Sequence, residues 1–198
     1  MYRWRKLSAE DRDALLAWRR RLERPWHSPP HFTEGPADFH LTAACYEHAP
    51  IVGHSPERMG DFCEALLSTL AGSGATVHAW CVLPNHYHLL LRVSELRQVL
   101  QDLGRLHGRT SFKWNGEDAL RGRSVWTAPA DRVMRSEAHF RATVNYIHHN
   151  PVKHSWVERW QDWPFSSASS WLAHVGRKEA LRLWKAYPIL DYGSGWDD

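Results

Sequence analysis

The triplet His86-Tyr87-His88 lies in residues 81–93, between apolar flanks that favour a β-strand. Alternate side chains of a strand share one face, so the two imidazoles are expected side by side, with Tyr87 on the opposite face. Two neighbouring imidazoles on a stiff backbone supply half of a divalent metal site. Two partly buried histidines on a sheet face, with no ligand, would produce the same pattern. The triplet therefore predicts a strand, and one of these two roles for its histidines.

A second segment, residues 136–153, is predicted to form a short helix. Ser136 is a suitable N-cap, and the apolar residues that follow recur at helical spacing. Pro151 is expected to end the helix, because it lacks an amide hydrogen and disfavours α geometry at Asn150. Tyr146 lies off the apolar stripe, on a second face with other polar residues. The members of that face are His139, Thr143, Tyr146, His149 and Asn150. A tyrosine in such a position is usually an ordinary surface residue.

The order of these segments, followed by Asp162-Trp-Pro-Phe-Ser-Ser167, resembles the REP-associated tyrosine transposases. These belong to the single-tyrosine transposase branch of the HUH single-strand nuclease superfamily. The resemblance covers residues 31–175. The triplet alone has little specificity, whereas its combination with the tyrosine helix and the Trp-Pro-Phe-Ser-Ser motif has much more. Tyr87 departs from the family, which usually has an aliphatic residue between the two histidines.

The rest of the chain predicts an α+β fold. Patterns of alternation and helical spacing indicate the order β-α-β-β-α-β-α, which is that of a ferredoxin-like split βαβ antiparallel sheet with helices on one face. The family uses this kind of fold, with the histidine strand in the centre. Strands are predicted at 37–46, 76–83, 86–93 and within 125–135, and helices at 6–24, 56–71, 96–107, 136–150 and 172–187, with a loop-like stretch from Gly108 to Gly116.

Three parts are expected along the chain. Residues 1–30 form a basic helix and a proline-rich connector, residues 31–155 the HUH nuclease domain, and residues 156–198 a C-terminal extension packed on it. The amino-terminal helix could clamp DNA or serve as a docking appendage, and the sequence does not decide between these roles.

The resemblance implies a tyrosine nuclease that cuts DNA without water as the nucleophile. Tyr146 would attack phosphorus, and His86 and His88 would each give one imidazole nitrogen to Mg²⁺ or Mn²⁺. Asn150, one helical turn after Tyr146, would give its amide oxygen as third ligand. His148, His149 and Lys153 lie beside the nucleophile in sequence, where they could contact phosphate or be ordinary surface residues. The candidate DNA contacts are Arg132, Arg135, His149, Lys153, Arg19 and Arg20.

The composition of the chain limits its possible functions and cellular location only broadly. The net charge is only +3, with a mild basic excess that is consistent with phosphate contacts without proving them. The three cysteines form no Cys-x-x-Cys motif and suit a reducing cytoplasm. No membrane span or secretion signal is expected, and we predict a bacterial cytoplasmic, nucleoid-associated monomer, with a dimer as the alternative. Most of the 12 tryptophans are expected in the core, with a few free to stack on nucleobases.

Three functions fit this sequence. The first is a metal-dependent endonuclease and strand transferase acting on single-stranded or hairpin DNA through a 5′-phosphotyrosine, which the resemblance connects to repetitive extragenic palindromes. The second is a non-catalytic palindrome-binding protein on the same fold, against which the retained histidines, tyrosine and asparagine argue. The third is a replication or conjugation relaxase. The chain is too short to include the helicase domain that such proteins often carry.

Overall fold

The computed structural model describes residues 35–189 continuously and, of the preceding chain, only residues 8, 10, 11, 13, 14 and 17. Ser8 Oγ accepts a hydrogen bond from the amide of Asp11 at 3.1 Å, as expected of a helix N-cap. Arg19, Arg20 and the proline-rich connector lie outside the described residues, as does the end of the chain after residue 189.

A four-stranded antiparallel sheet forms the centre of the fold. Its strands are β1 (Ala37–Ala44), β2 (Thr76–Val82), β3 (His86–Val93) and β4 (Ala130–Val133), in the order β2-β3-β1-β4. The helices are α1 (Pro56–Gly72), α2 (Leu96–Glu117), α3 (Glu137–Lys153), α4 (Ala168–Val175) and α5 (Arg177–Ala186), with 3₁₀ turns at Tyr46–His48, Val52–His54 and Trp160–Asp162. The sequence of elements β1-α1-β2-β3-α2-β4 with this strand order is the ferredoxin-like split βαβ arrangement, which confirms the predicted fold class.

Pleating of β3 sends its side chains to two different layers. Tyr87 packs against Phe62 of α1 and places its hydroxyl 3.0 Å from His107 Nε2 of α2. His86 and His88 point to the other face, where α3 lies. The prediction placed the helices on one face; α1 and α2 do lie together, whereas α3 covers the opposite face. This second layer is what brings a helix against the histidines.

The segment around Trp163 attaches the C-terminal part of the chain to the edge of β2. Trp163 Nε1 donates to the carbonyl of Val82 at 2.8 Å, and the amide of Val82 donates to the carbonyl of Phe165 at 2.8 Å. Ser167 donates its amide to the carbonyl of Trp80 at 3.0 Å. The motif therefore continues the hydrogen bonding of the sheet, and α4 and α5 cover the outer side of α3. Among residues 35–189, no helix combines the length and the apolar character needed to cross a bilayer.

Helix α2 is longer than predicted. It continues through Gly104 and Gly108 to Glu117, where a loop was expected after His107. Each glycine disfavours a helix by about 1 kcal/mol relative to alanine. The buried residues Leu103, Leu106 and Trp114 recur at helical spacing on the side that packs against α1, and this burial outweighs the glycine penalty.

Two other helix boundaries also differ from the prediction. Pro151 does not end α3, because the last turn keeps its bonds from His154 N to Asn150 O at 3.1 Å and from Trp156 N to Pro151 O at 2.9 Å. Asn150 therefore stays helical. The predicted helix over 172–187 is instead two helices, α4 and α5, which meet at Gly176 in a left-handed conformation with φ of 79°.

Candidate active site

The two histidines of β3 lie next to each other in the interior, as predicted. His86 is 2% exposed and His88 is fully buried, and their ring centroids are 4.9 Å apart with the ring planes nearly perpendicular. The backbone of β3 is held by β1 on one side and β2 on the other. The imidazoles are thus fixed by a central strand rather than by a flexible loop.

Asn85 holds the ring of His86 in one orientation. Its side-chain oxygen lies 2.7 Å from His86 Nδ1, and its amide nitrogen donates to the carbonyl of His48 at 3.1 Å. Because an amide oxygen can only accept, Nδ1 carries the proton of this bond. The neutral imidazole then has its lone pair on Nε2.

The other ring nitrogen of His86 faces Asn150. Nε2 lies 3.2 Å from the Oδ1 atom of Asn150, which is fully buried on α3. With a neutral ring, two acceptors face each other here and repel unless a proton or a metal cation lies between them. Adjacent ligands of an octahedral ion at ~2.0–2.1 Å are themselves about 3 Å apart. The residues present therefore fit a divalent cation between His86 and Asn150.

His88 is oriented in a similar way by a histidine that the sequence analysis did not identify. His40 of β1 is 3% exposed, and its Nε2 lies 3.2 Å from His88 Nδ1. A bond at Nδ1 directs Nε2 of His88 to the role of ligand, as partners behind a metal-binding histidine commonly do. Within residues 35–189, no group of three or more His, Cys, Asp or Glu side chains could hold a metal ion. The candidate ligand set is instead two imidazoles and one amide.

Tyr146 lies at the same place. Its ring centroid is 5.2 Å from that of His88 and 5.9 Å from that of His40, in edge-on contact with both. The side chain is only 1% exposed, so the alternative of an ordinary surface tyrosine is wrong. Residues 143–148 are all buried, because the sheet covers one side of α3 and the C-terminal helices cover the other.

Helix α3 brings both of its site residues to the histidines. The helix begins at Ser136, whose hydroxyl accepts from the amide of His139 at 3.1 Å. Tyr146 and Asn150 are one turn apart and both face β3. The predicted site residues Tyr146, His86, His88 and Asn150 are therefore brought together by two elements, β3 and α3.

Basic residues lie around this centre. Lys153 is exposed and places Nζ 5.4 Å from the centroid of the Tyr146 ring. Arg132 is exposed on β4 and is the ladder partner of His40, so both side chains emerge on the same face of the sheet. Arg135 follows the strand and is exposed. Burial, with the charges of Arg132 and Arg135, lowers the pKa of His139.

Two histidines of α3 do not join the site. His148 is buried next to Ser167, with its Nε2 3.0 Å from the serine hydroxyl, and burial lowers its pKa to about 3. His149 packs against Trp184 of α5, with ring centroids 5.1 Å apart. His149 therefore does not lie with Tyr146 at the site, although the predicted helical face grouped the two residues together.

Sequence reasoning missed two residues that contact the ligand histidines. His40 could have been found, because the predicted fold places β1 beside β3 and His40 alternates with the apolar residues of β1. His154 has its ring centroid 5.1 Å from that of His86 and lies just past the end of α3. No signal pointed to it, since the helix was expected to end before it.

Comparisons with known proteins support the predicted resemblance. The REP-associated tyrosine transposase of Escherichia coli K12 is 32% identical over 92 residues, which are 46% of this chain and 53% of that protein. A putative REP-associated tyrosine transposase of Haemophilus influenzae is 30% identical over 105 residues, 45% of this chain and 56% of that protein. The chain thus matches about half the length of these curated relatives. No family model matches it.

A solved structure supports the fold. A REP-associated tyrosine transposase bound to a REP hairpin superposes with a TM-score of 0.57 at 20% identity, covering 83% of this chain and 90% of that one. At this identity the likeness shows the fold alone. The predicted similarity to REP-associated tyrosine transposases is confirmed by the sequence matches, and the ferredoxin-like architecture by the structural one.

Proposed function

We propose that this protein is a metal-dependent endonuclease and strand transferase that acts on single-stranded or hairpin DNA through a 5′-phosphotyrosine. The observation that carries the proposal is the convergence of the Tyr146 ring, 5.2 Å from His88, with the 3.2 Å pair of His86 and Asn150. A protein that only binds DNA has no need of a buried tyrosine against a prepared set of imidazole and amide acceptors.

Tyr146 would be the nucleophile. Its hydroxyl oxygen attacks phosphorus and loses its proton, a bond forms between tyrosine and the 5′-phosphate, and the bond to the 3′-oxygen breaks. The released 3′-oxygen takes up a proton and leaves as a hydroxyl. Because the phosphotyrosine keeps a phosphodiester bond, a later 3′-hydroxyl can attack it and rejoin strands without ATP.

His86, His88 and Asn150 would hold Mg²⁺ or Mn²⁺ beside the phosphate. A bound ion of this kind neutralises the non-bridging oxygens and stabilises the charge on the departing oxygen. The chain's own contribution is orientation: Asn85 and His40 fix the two rings, and α3 holds Asn150 one turn from Tyr146. The ammonium of Lys153 next to the tyrosine ring stabilises negative charge that develops there.

Arg132, which is exposed on the same face of the sheet as His40, and Arg135, which is exposed just after β4, would bind the DNA backbone. The names of the curated relatives point to repetitive extragenic palindromes as the substrate. We further propose that the protein acts as a monomer at the bacterial chromosome, in the cytoplasm.

A labelled hairpin oligonucleotide with a single-stranded extension, incubated with Mn²⁺, tests the proposal. We expect cleavage and a covalent protein–DNA band on a denaturing gel, both lost when the metal is chelated. Binding to the hairpin without any covalent band, over a range of extension sequences and in both Mg²⁺ and Mn²⁺, would instead support the non-catalytic palindrome-binding function.

A further inference from the structure

A cavity lies on the side of α3 that faces α4 and α5. Its volume is about 340 Å³, within the ~300–1,000 Å³ range of small-ligand pockets. Three indoles line it, from Trp160, Trp171 and Trp184. The rings of His148 and Trp160 are nearly parallel, at 8°, with centroids 6.1 Å apart. The walls are therefore flat, aromatic surfaces of the kind on which a planar ring stacks.

Residues that line the cavity have buried polar atoms with no partner among the described residues. His148 is only 2% exposed and lines the cavity, and its Nδ1 has no hydrogen-bond partner, while Nε2 is paired with Ser167. His149 also lines the cavity, and its Nδ1 likewise has no partner. An unmet buried polar group is unfavourable by about 1–3 kcal/mol, so a ligand with a polar edge would stabilise this arrangement.

The charge of the lining favours an anionic ligand. Arg177 lines the cavity and is exposed, and within residues 35–189 no carboxylate pairs with it. It is the first residue of α5, whose N-cap Gly176 has no side chain to bind the free amides of the first turn. None of the residues found to line the cavity carries a carboxylate, which disfavours a cationic ligand.

We propose that this cavity binds one unpaired nucleotide, with its base stacked among the indoles and its phosphate at Arg177. A flat ring with a polar edge and an attached anion matches the walls, the unpaired His148 nitrogen and the guanidinium of Arg177 together. The base must be unpaired, since a base inside a duplex has both faces covered. The nucleotide belongs either to the single-stranded extension of bound DNA or to a free mononucleotide. The first source rests on the DNA binding proposed above, and neither source depends on cleavage.

The test measures binding in EDTA, so that no cleavage takes part. A fluorescein-labelled hairpin with a short single-stranded extension and the same hairpin without it are titrated by anisotropy, and dAMP, dGMP, dCMP and dTMP by saturation-transfer NMR. Trp184→Leu is compared with Trp156→Leu, since Trp156 is an exposed tryptophan outside the cavity. Arg177→Gln is compared with Lys178→Gln, which removes the same charge one residue further along. Circular dichroism and thermal melting check the fold of every variant.

If the nucleotide belongs to DNA, Trp184→Leu will weaken binding of the extended hairpin by at least about fivefold, the lower end of the effect of losing one base stack. Arg177→Gln will also weaken it, because the phosphate loses its cation. Binding of the blunt hairpin and of the two control variants will not change. An extension that lacks the stacked base, with one abasic position in its place, will then bind the wild type and Trp184→Leu with equal affinity. If the source is a free mononucleotide, the NMR signal will be lost in these two variants while both hairpins bind as before. Equal effects in the cavity and control variants, for folded proteins and all ligands, would overturn the proposal.

Discussion

Tyr146 of α3 meets His88 of β3 edge-on, with ring centroids 5.2 Å apart, although the two residues are 58 positions apart in the chain. Tyr87, which is the direct neighbour of His88, lies in the opposite layer of the fold, where it contacts Phe62 and His107. Proximity in sequence and proximity in space thus select different tyrosines. The candidate nucleophile is Tyr146, which lies on α3.

A comparison of the two tyrosines tests this choice. Tyr146→Phe is expected to abolish the covalent protein–DNA band, because it removes the oxygen that would attack phosphorus. Tyr87→Phe is expected to keep the band and to lower the free energy of unfolding by about 1–3 kcal/mol, since His107 loses its buried partner. The measurements are a denaturing gel with labelled hairpin DNA and urea unfolding. A band that survives in Tyr146→Phe and disappears in Tyr87→Phe would reverse the assignment.

Asn150 offers an isosteric test of the metal site. Asn150→Asp keeps the shape of the side chain and adds a charge, so the Mn²⁺ concentration for half-maximal covalent product should fall. Asn150→Ala removes the ligand oxygen and should raise that concentration by at least about tenfold. Electron paramagnetic resonance of free Mn²⁺ measures the affinity without reference to activity. Unchanged Mn²⁺ affinity in both variants would show that Asn150 is not a ligand.

Asn85 is expected to act on the metal site through His86. Asn85→Ala removes the acceptor that keeps the proton on Nδ1, and partners of this kind typically affect metal affinity by about 10–100-fold. Asn145→Ala is the matched control, because Asn145 is a buried asparagine that donates to the carbonyl of Tyr187 at 2.8 Å, away from the histidines. Both variants should be less stable, but only Asn85→Ala should bind Mn²⁺ more weakly. Equal Mn²⁺ affinities in Asn85→Ala and Asn145→Ala would show that Asn85 stabilises only the turn before β3 and does not act on the metal site.

Local patterns predicted the parts of the site that depend on a single element. The bounds of β3 and the opposite placement of Tyr87 follow from strand alternation, and the start of α3 follows from the capping side chain of Ser136. The spacing of Tyr146 and Asn150 also follows from helix geometry alone. These features need no knowledge of what packs against the element.

The features that were missed depend on contacts between elements. Burial of Trp114 against α1 carries α2 through two glycines, and no local signal reports that burial. His40 becomes a partner of His88 only through the register of β1 on β3. The position of His149 depends on α5, which covers the side of α3 that a helical-wheel argument assigns to solvent. Propensity and periodicity describe one element at a time, so they do not reach these relationships.

The ion pair between Arg58 and Asp118 gives a prediction about stability and pH. Arg58 of α1 and Asp118, just after α2, are both less than 10% exposed at their side chains, and Arg123 also donates to Asp118 at 2.7 Å. The bond from Arg58, followed by that from Arg123, holds the pKa of Asp118 well below its usual range. A carboxyl group with a lowered pKa in the folded state stabilises the protein above its unfolded pKa of about 3.9 and loses this effect as the pH falls further.

Asp118→Asn should therefore lower the free energy of unfolding at pH 7 by about 3 kcal/mol, the lower end for breaking a buried pair, since Glu117 remains 3.1 Å from Arg58. The difference from the wild type should be similar at pH 5 and should shrink as the pH falls below 4, because Asp118 takes up a proton in the unfolded chain there while it stays ionised in the folded protein. Urea unfolding at pH 7, 5 and 3 measures this. Asp61→Asn, which removes a surface partner of Lys113, is the control and should have a much smaller effect at each pH. A difference for Asp118→Asn that does not shrink on acidification would show that shape, and not charge, makes Asp118 stabilising.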